Sequence, residues 1–258
     1  MILTLLRMEF AKIWRLSSVR FGLALLVVFP LLWAYAPGIF EVYGFFLVSG
    51  FQVPALSLLS SMQFLLPLLV AISAAELLGT EIANGTLPTI LLRPVTRPNW
   101  LAAKLIVIAI YPFIMLLVFL LASLAAGIPF GFAGFFGGTG LGEAGLLGQG
   151  MLTPGQAFGE LLRGYLLAAL ALIPIGMLAL LFTVVFMNAA GGALATLASL
   201  IFMQLLVVFP AIEPFLLTTQ LNAYAAPGGE TAWVVALIAL YGALFAALAV
   251  VLFERKDF

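Results

Sequence analysis

The side chains in this sequence that could act on a partner are gathered between Glu81 and Lys104. Glu81 is followed after three residues by Gly85-Thr86-Leu87, then by Leu91-Leu92-Arg93-Pro94, by Arg97 and by Lys104. These types do not make a catalytic set. They offer a carboxylate, cations and an apolar run, which is the chemistry of charge pairing and docking. Local rules give the stretch a plan. Gly85 can end one helix in the left-handed conformation. Thr86 can cap the next, and Pro88 is tolerated in its first turn. Pro94 stops that helix after roughly two turns, and Thr96 with Pro98 opens another. The expectation is a short helix between two long ones. The plainer alternative is that Glu81, Arg93, Arg97 and Lys104 are solvated charges that only fix topology. Spacing alone favours neither.

The elements that must position this stretch belong in a membrane. The chain has 258 residues, 65% of them hydrophobic and 8% charged, with a mean hydropathy of +1.29. A soluble domain carries about 25% charged residues, so these few charges could not clothe a water-facing surface. The net charge is zero, and nothing suggests a nucleic-acid partner. With neither Cys nor His, disulfides, Cys/His zinc sites, haem ligation, thiol nucleophiles and histidine acid–base chemistry are not expected. The one Asp is Asp257, and no Gly-Lys pair exists for a phosphate-binding loop. The chain itself is therefore not expected to hydrolyse ATP or to carry a cofactor or metal.

A helix of about 20 apolar residues crosses a bilayer, and six stretches qualify: about 19–35, 57–78, 101–128, 161–187, 189–209 and 232–253. The fourth and fifth meet at Asn188 and should form a tight hairpin. Lys and Arg concentrate on the cytoplasmic side of short loops. Nine of the ten basic residues, all but Arg163, fall on the side that holds both termini, which places the termini in the cytoplasm. The expected fold is an all-α integral membrane protein of the cell (inner) membrane, one transmembrane domain over 1–258.

The remaining segments carry further expectations. Residues 1–18 suit an amphipathic surface helix rather than a cleavable signal. Thr4, Arg7, Lys12 and Arg15 share one side of it, and Ile2, Leu6, Phe10 and Ile13 the other. Glu9 falls among the apolar residues, where an unpaired carboxylate is costly. It should find a donor from Arg93, Arg97 or the start of the third span, unless the helix frays and lets it reach water. Glycines make a regular helix unfavourable over much of 129–160, and Thr153-Pro154 reads as the start of a helix into the fourth span. The apolar, proline-broken stretch 211–231 suits an external re-entrant excursion before the last span. Glu76 lies within the second span near its cytoplasmic end. Gln63, Gln204 and Asn188 read as helix–helix glue, and Trp33, Trp100 and Trp233 as interfacial anchors.

The order Glu81-x3-Gly85-Thr86-Leu87, Leu91-Leu92-Arg93-Pro94-Val95, Arg97 and Lys104 resembles the permease subunits of type-2 ABC transporters. The start Arg7-x-Glu9-Phe10-x-Lys12 and the tail Phe253-Glu254-Arg255-Lys256-Asp257-Phe258 are similar to that family too. The resemblance implies that residues 81–100 hold a coupling helix, seated in a groove of a separate ABC ATPase that binds ATP and Mg. It implies a dimer, with a second copy or a homologue, and a path between permeases lined by the second and fifth spans. An apolar, charge-poor path suits a lipophilic substrate leaving the cytoplasm. A secondary transporter or channel is the other reading, but such proteins place charges or broken helices near mid-membrane, and these spans hold almost none. An embedded enzyme or a membrane scaffold fits less well.

Overall fold

The computed structural model describes residues 2–36, 47–87, 96–137, 147, 150–225 and 231–256. In chain order these form α1 (Ile2–Ile13), α2 (Ser17–Tyr35), α3 (Gln52–Met62), α4 (Leu65–Ala83) and α5 (Arg97–Gly127). A short antiparallel pair follows, β1 (Phe135–Gly137) with β2 (Gly150–Leu152), Phe135 opposite Leu152. Then come α6 (Pro154–Phe186), α7 (Ala189–Leu206), α8 (Leu217–Gln220) and α9 (Thr231–Glu254). Among the described residues six helices, α2, α4, α5, α6, α7 and α9, are long and apolar enough to cross a membrane. The protein is a helical bundle. α6 runs through its centre and packs against α4, α5, α7 and α9.

Several boundaries differ from the sequence expectation, each for a local reason. The second span, expected over 57–78, is two helices, α3 and α4, parted at Phe64 (φ −142°, ψ −53°). Pro67 explains the break. In a continuous helix its ring would meet the carbonyl of Gln63, and it has no N–H to give it. Beyond the break α4 runs past Leu78 to Ala83. α5 starts at Arg97, with Pro98 in its first turn. α6 starts at Pro154, the helix start read from Thr153-Pro154, seven residues before the apolar stretch 161–187, on a capping box. Gln156 N–H donates to Thr153 Oγ1 at 3.4 Å and Thr153 N–H to Gln156 Oε1 at 3.0 Å.

The α6–α7 hairpin turns at Met187, which is left-handed (φ 53°), and Asn188 caps α7 by accepting from the N–H groups of Ala190 and Gly191. Small residues let these helices close up, as they do in membranes. A Cβ on Gly192 would sit 2.1 Å from Thr183 Oγ1, and one on Gly79 of α4 would sit 2.3 Å from Ala189 Cβ.

Candidate functional site: a buried ion cluster

At one end of the bundle α1 lies across α4 and α5. Leu6 and Phe10 pack on the core, and Ile13 is buried within it. That orientation carries Glu9 inward, to 2% exposure. Facing it are Glu81 from the last turn of α4 and Lys104 from the second turn of α5. Lys104 has no exposed surface, so all three of its ammonium protons need acceptors inside the protein. They have them: Glu9 Oε2 at 2.8 Å, Glu81 Oε1 at 3.0 Å and the Leu77 carbonyl at 2.8 Å. The Trp100 ring, one turn earlier on α5, covers the same ammonium at 4.6 Å.

Lys12 completes the cluster. One turn after Glu9 it donates to Glu9 Oε1 at 2.7 Å and also to Glu81 Oε1. Two cations thus face two carboxylates, leaving no net charge in a poorly solvated place. Lys12 is partly exposed and forms the side of the cluster open to water. Burial works against its ammonium, but the bonds to Glu81 and Glu9 outweigh burial and raise its pKa above the ordinary lysine value. It stays protonated at cellular pH. The second carboxylate oxygen of Glu81, Oε2, is buried with no hydrogen-bond partner among the described residues.

Glu81 also marks where α4 ends. Thr86 N–H donates to the Glu81 carbonyl at 3.0 Å, Gly85 N–H to the Ile82 carbonyl at 3.0 Å, and Gly85 has φ +63°. This is the paired six-to-one and five-to-two bonding of a glycine-terminated helix. The Thr86 hydroxyl turns back onto the Glu81 carbonyl at 3.2 Å. Leu87 is buried and joins the core. Leu91, Leu92, Arg93 and Pro94 lie outside the described residues.

Of the donors expected for Glu9, the start of the third span supplies one, Lys104. Arg97 does not reach it. Arg97 donates instead to the carbonyls of Lys256 at 2.9 Å and Glu254 at 3.4 Å, at the end of α9. Lys256 in turn donates to the carbonyls of Val184 at 2.6 Å and Val185 at 2.8 Å, at the end of α6. Each cation meets a helix C-terminus, where unpaired carbonyls and the helix dipole favour it.

Two residues sit otherwise than the sequence suggests. The helical wheel puts Lys12 on the polar side of α1, but its ammonium reaches Glu9, a contact that the three-residue spacing between them signals. Trp100 is no interfacial anchor. It is 2% exposed and stacks on Phe253 at 5.3 Å. Gln63 and Gln204 line a cavity. Glu76 accepts from the Ser18 hydroxyl at 2.5 Å, a polar contact between α2 and α4.

The family model of the ABC-2 family transporter proteins matches residues 5–187, from α1 through the end of α6, and so takes in all four members of the ion cluster. No curated protein matches the chain. With the matched region covering more than half of the chain, and six helices able to span a bilayer, the protein belongs to the ABC-2 transporter family and is one of its multi-pass membrane components.

Proposed function

We propose that this chain is the permease subunit of an ATP-driven exporter. Two permeases, identical or related, would pair in the membrane and each engage a separate ABC ATPase that binds ATP and Mg. Both termini face the cytoplasm, α1 lies on the inner membrane surface, and residues 211–231 form an external re-entrant segment. Residues 81–100 carry the coupling element, and the residues assigned to coupling are Glu81, Gly85, Thr86, Leu87, Leu91, Leu92, Arg93, Pro94 and Arg97, with Lys104 beyond it. The substrate is lipophilic and leaves the cytoplasm.

The observation that carries this reading is the ion cluster. It ties the surface helix, the end of α4 and the start of α5 together, immediately beside the segment on which an ATPase would push. A stroke delivered there reaches three elements at once. Membership of the ABC-2 transporter family, whose permeases in general work with ABC ATPases, supports this choice of partner.

Two experiments test it. In the first, the chain is co-expressed with its ATPase, and complex recovery and efflux of a lipophilic dye are measured. Leu91→Asp is expected to lower recovery or to uncouple hydrolysis from efflux, by about tenfold or more if a buried apolar contact is lost, with all six spans still inserted. Efflux driven by an ion gradient without any ATPase overturns the reading. In the second, single cysteines replace Met151 and Arg255, both exposed. An impermeant thiol reagent applied to intact cells should label the first and spare the second. The reverse pattern overturns the orientation.

A further inference from the structure

Away from the ion cluster, where α4 begins, a cavity of about 300 Å³ opens between α4, α7 and the segment that follows α7. The break before α4 contributes Gln63 and Phe64, α7 contributes Leu200 and Gln204, and the following segment contributes Thr218 and Asn222. Gln63, Gln204 and Asn222 are exposed around it. Thr218 is 7% exposed, and its hydroxyl has no hydrogen-bond partner among the described residues. Three carboxamides and an unpartnered buried hydroxyl facing hydrocarbon would be unfavourable. Together they form a concave site that is apolar in its walls and polar at a few points, which is how small-molecule sites are built.

The chemistry of the lining selects the ligand. Among the described residues that line the cavity none is charged, so an ionised group entering it would lose water there without gaining a counter-ion. Each carboxamide offers both a donor and an acceptor, and so does the threonine hydroxyl. The matching head group is neutral and also carries both, as amides and hydroxyls do. Phe64 and Leu200 give a hydrocarbon chain a surface to lie on.

We propose that this cavity binds the polar head of an uncharged amphiphile bearing amide or hydroxyl groups. Its use as a substrate site rests on the exporter reading above, whereas binding itself can be tested on the permease alone. The full chain is placed in phosphatidylcholine nanodiscs with an N-dodecanoyl ethanolamide that carries a diazirine in its acyl chain. After irradiation, labelled peptides are mapped by mass spectrometry. Sulfate-headed and trimethylammonium-headed probes of the same chain serve as comparisons. The neutral probe is expected to label the peptides around Phe64 and Leu200, and the charged probes are not. Gln204→Leu and Thr218→Val should each cut labelling by about five- to tenfold, the effect of one lost hydrogen bond. Thr218→Ser, which keeps the hydroxyl, should retain it.

Equal labelling by charged and neutral heads overturns the proposal, and so does parent-like labelling of both Gln204→Leu and Thr218→Val. A Gln204→Cys variant that cross-links between two permeases while the parent excludes the neutral probe also overturns it, because the carboxamides then meet a second copy. Selective labelling of a protein that shows no ATPase-dependent efflux supports the binding site and sinks the exporter reading, so the two failures are distinguishable.

Discussion

Lys104→Met is expected to destabilise the protein by about 3–5 kcal/mol, the range for removing one partner from a buried ion pair. In a chain of this size that lowers the melting temperature by about 10 °C. The substitution keeps an unbranched side chain of nearly the same length but removes three hydrogen bonds and the cation over the Trp100 ring. Glu9 and Glu81 are then left with Lys12 alone, and Glu81 already has one carboxylate oxygen without a partner among the described residues. Two buried carboxylates sharing one half-exposed ammonium repel each other. Relief should come from removing a negative charge as well. Lys104→Met with Glu81→Gln restores neutrality and should recover part of the loss, so the double variant should be more stable than the sum of the single ones predicts. The measurement is thermal unfolding of the four proteins of this cycle in one detergent or nanodisc. Additive single effects, or a Lys104→Met protein that melts with the parent, would show that the cluster does not act as a unit.

How far this site could be read beforehand varies residue by residue. The burial of Glu9 was legible because its place on the wheel of α1 is set by its neighbours, and its need for a cation follows from that. Its partner was legible only as a region. Arg97 and Lys104 both stand near the start of α5, but Arg97 lies two turns, about 10 Å, further along the axis. It therefore reaches the end of α9, a contact that depends on which helices lie side by side. The same long-range dependence hid Trp100. Hydropathy places a tryptophan near a span end at the interface, and only the packing of Phe253 against it shows that it is core. The end of α4 was legible, since Gly85 takes the backbone conformation its type favours. The break before α4 was encoded as well, in Pro67, but hydropathy counts side-chain polarity and not the carbonyl that a proline ring must avoid. The cavity around Thr218 was not legible, because it exists only where three segments distant in sequence meet.

Gly79→Leu is expected to disrupt the protein where α4 crosses the start of α7, and to do so more than any substitution at an open glycine. The cause is steric. A Cβ at Gly79 would lie 2.3 Å from Ala189 Cβ, 2.7 Å from its Cα and 2.8 Å from its backbone nitrogen. No rotamer change can relieve contacts with backbone. Nor can α7 yield easily, because its first turn is held by the Asn188 cap and by the left-handed Met187. Behind it Gly192 is already against Thr183. The remaining route is to part α4 from α7, and overpacking of this kind costs about 1–3 kcal/mol or more. Because Glu81 stands two residues later on α4, parting the helices also pulls on the ion cluster. The loss should therefore appear in dye efflux as well as in melting temperature. Gly79→Ala should fall between parent and Gly79→Leu. Gly159→Leu is the control, since nothing lies within 4 Å of a Cβ there. If Gly79→Leu melts and transports like Gly159→Leu, α4 and α7 do not make this contact in the membrane, and the arrangement of the second and fifth spans described above is wrong.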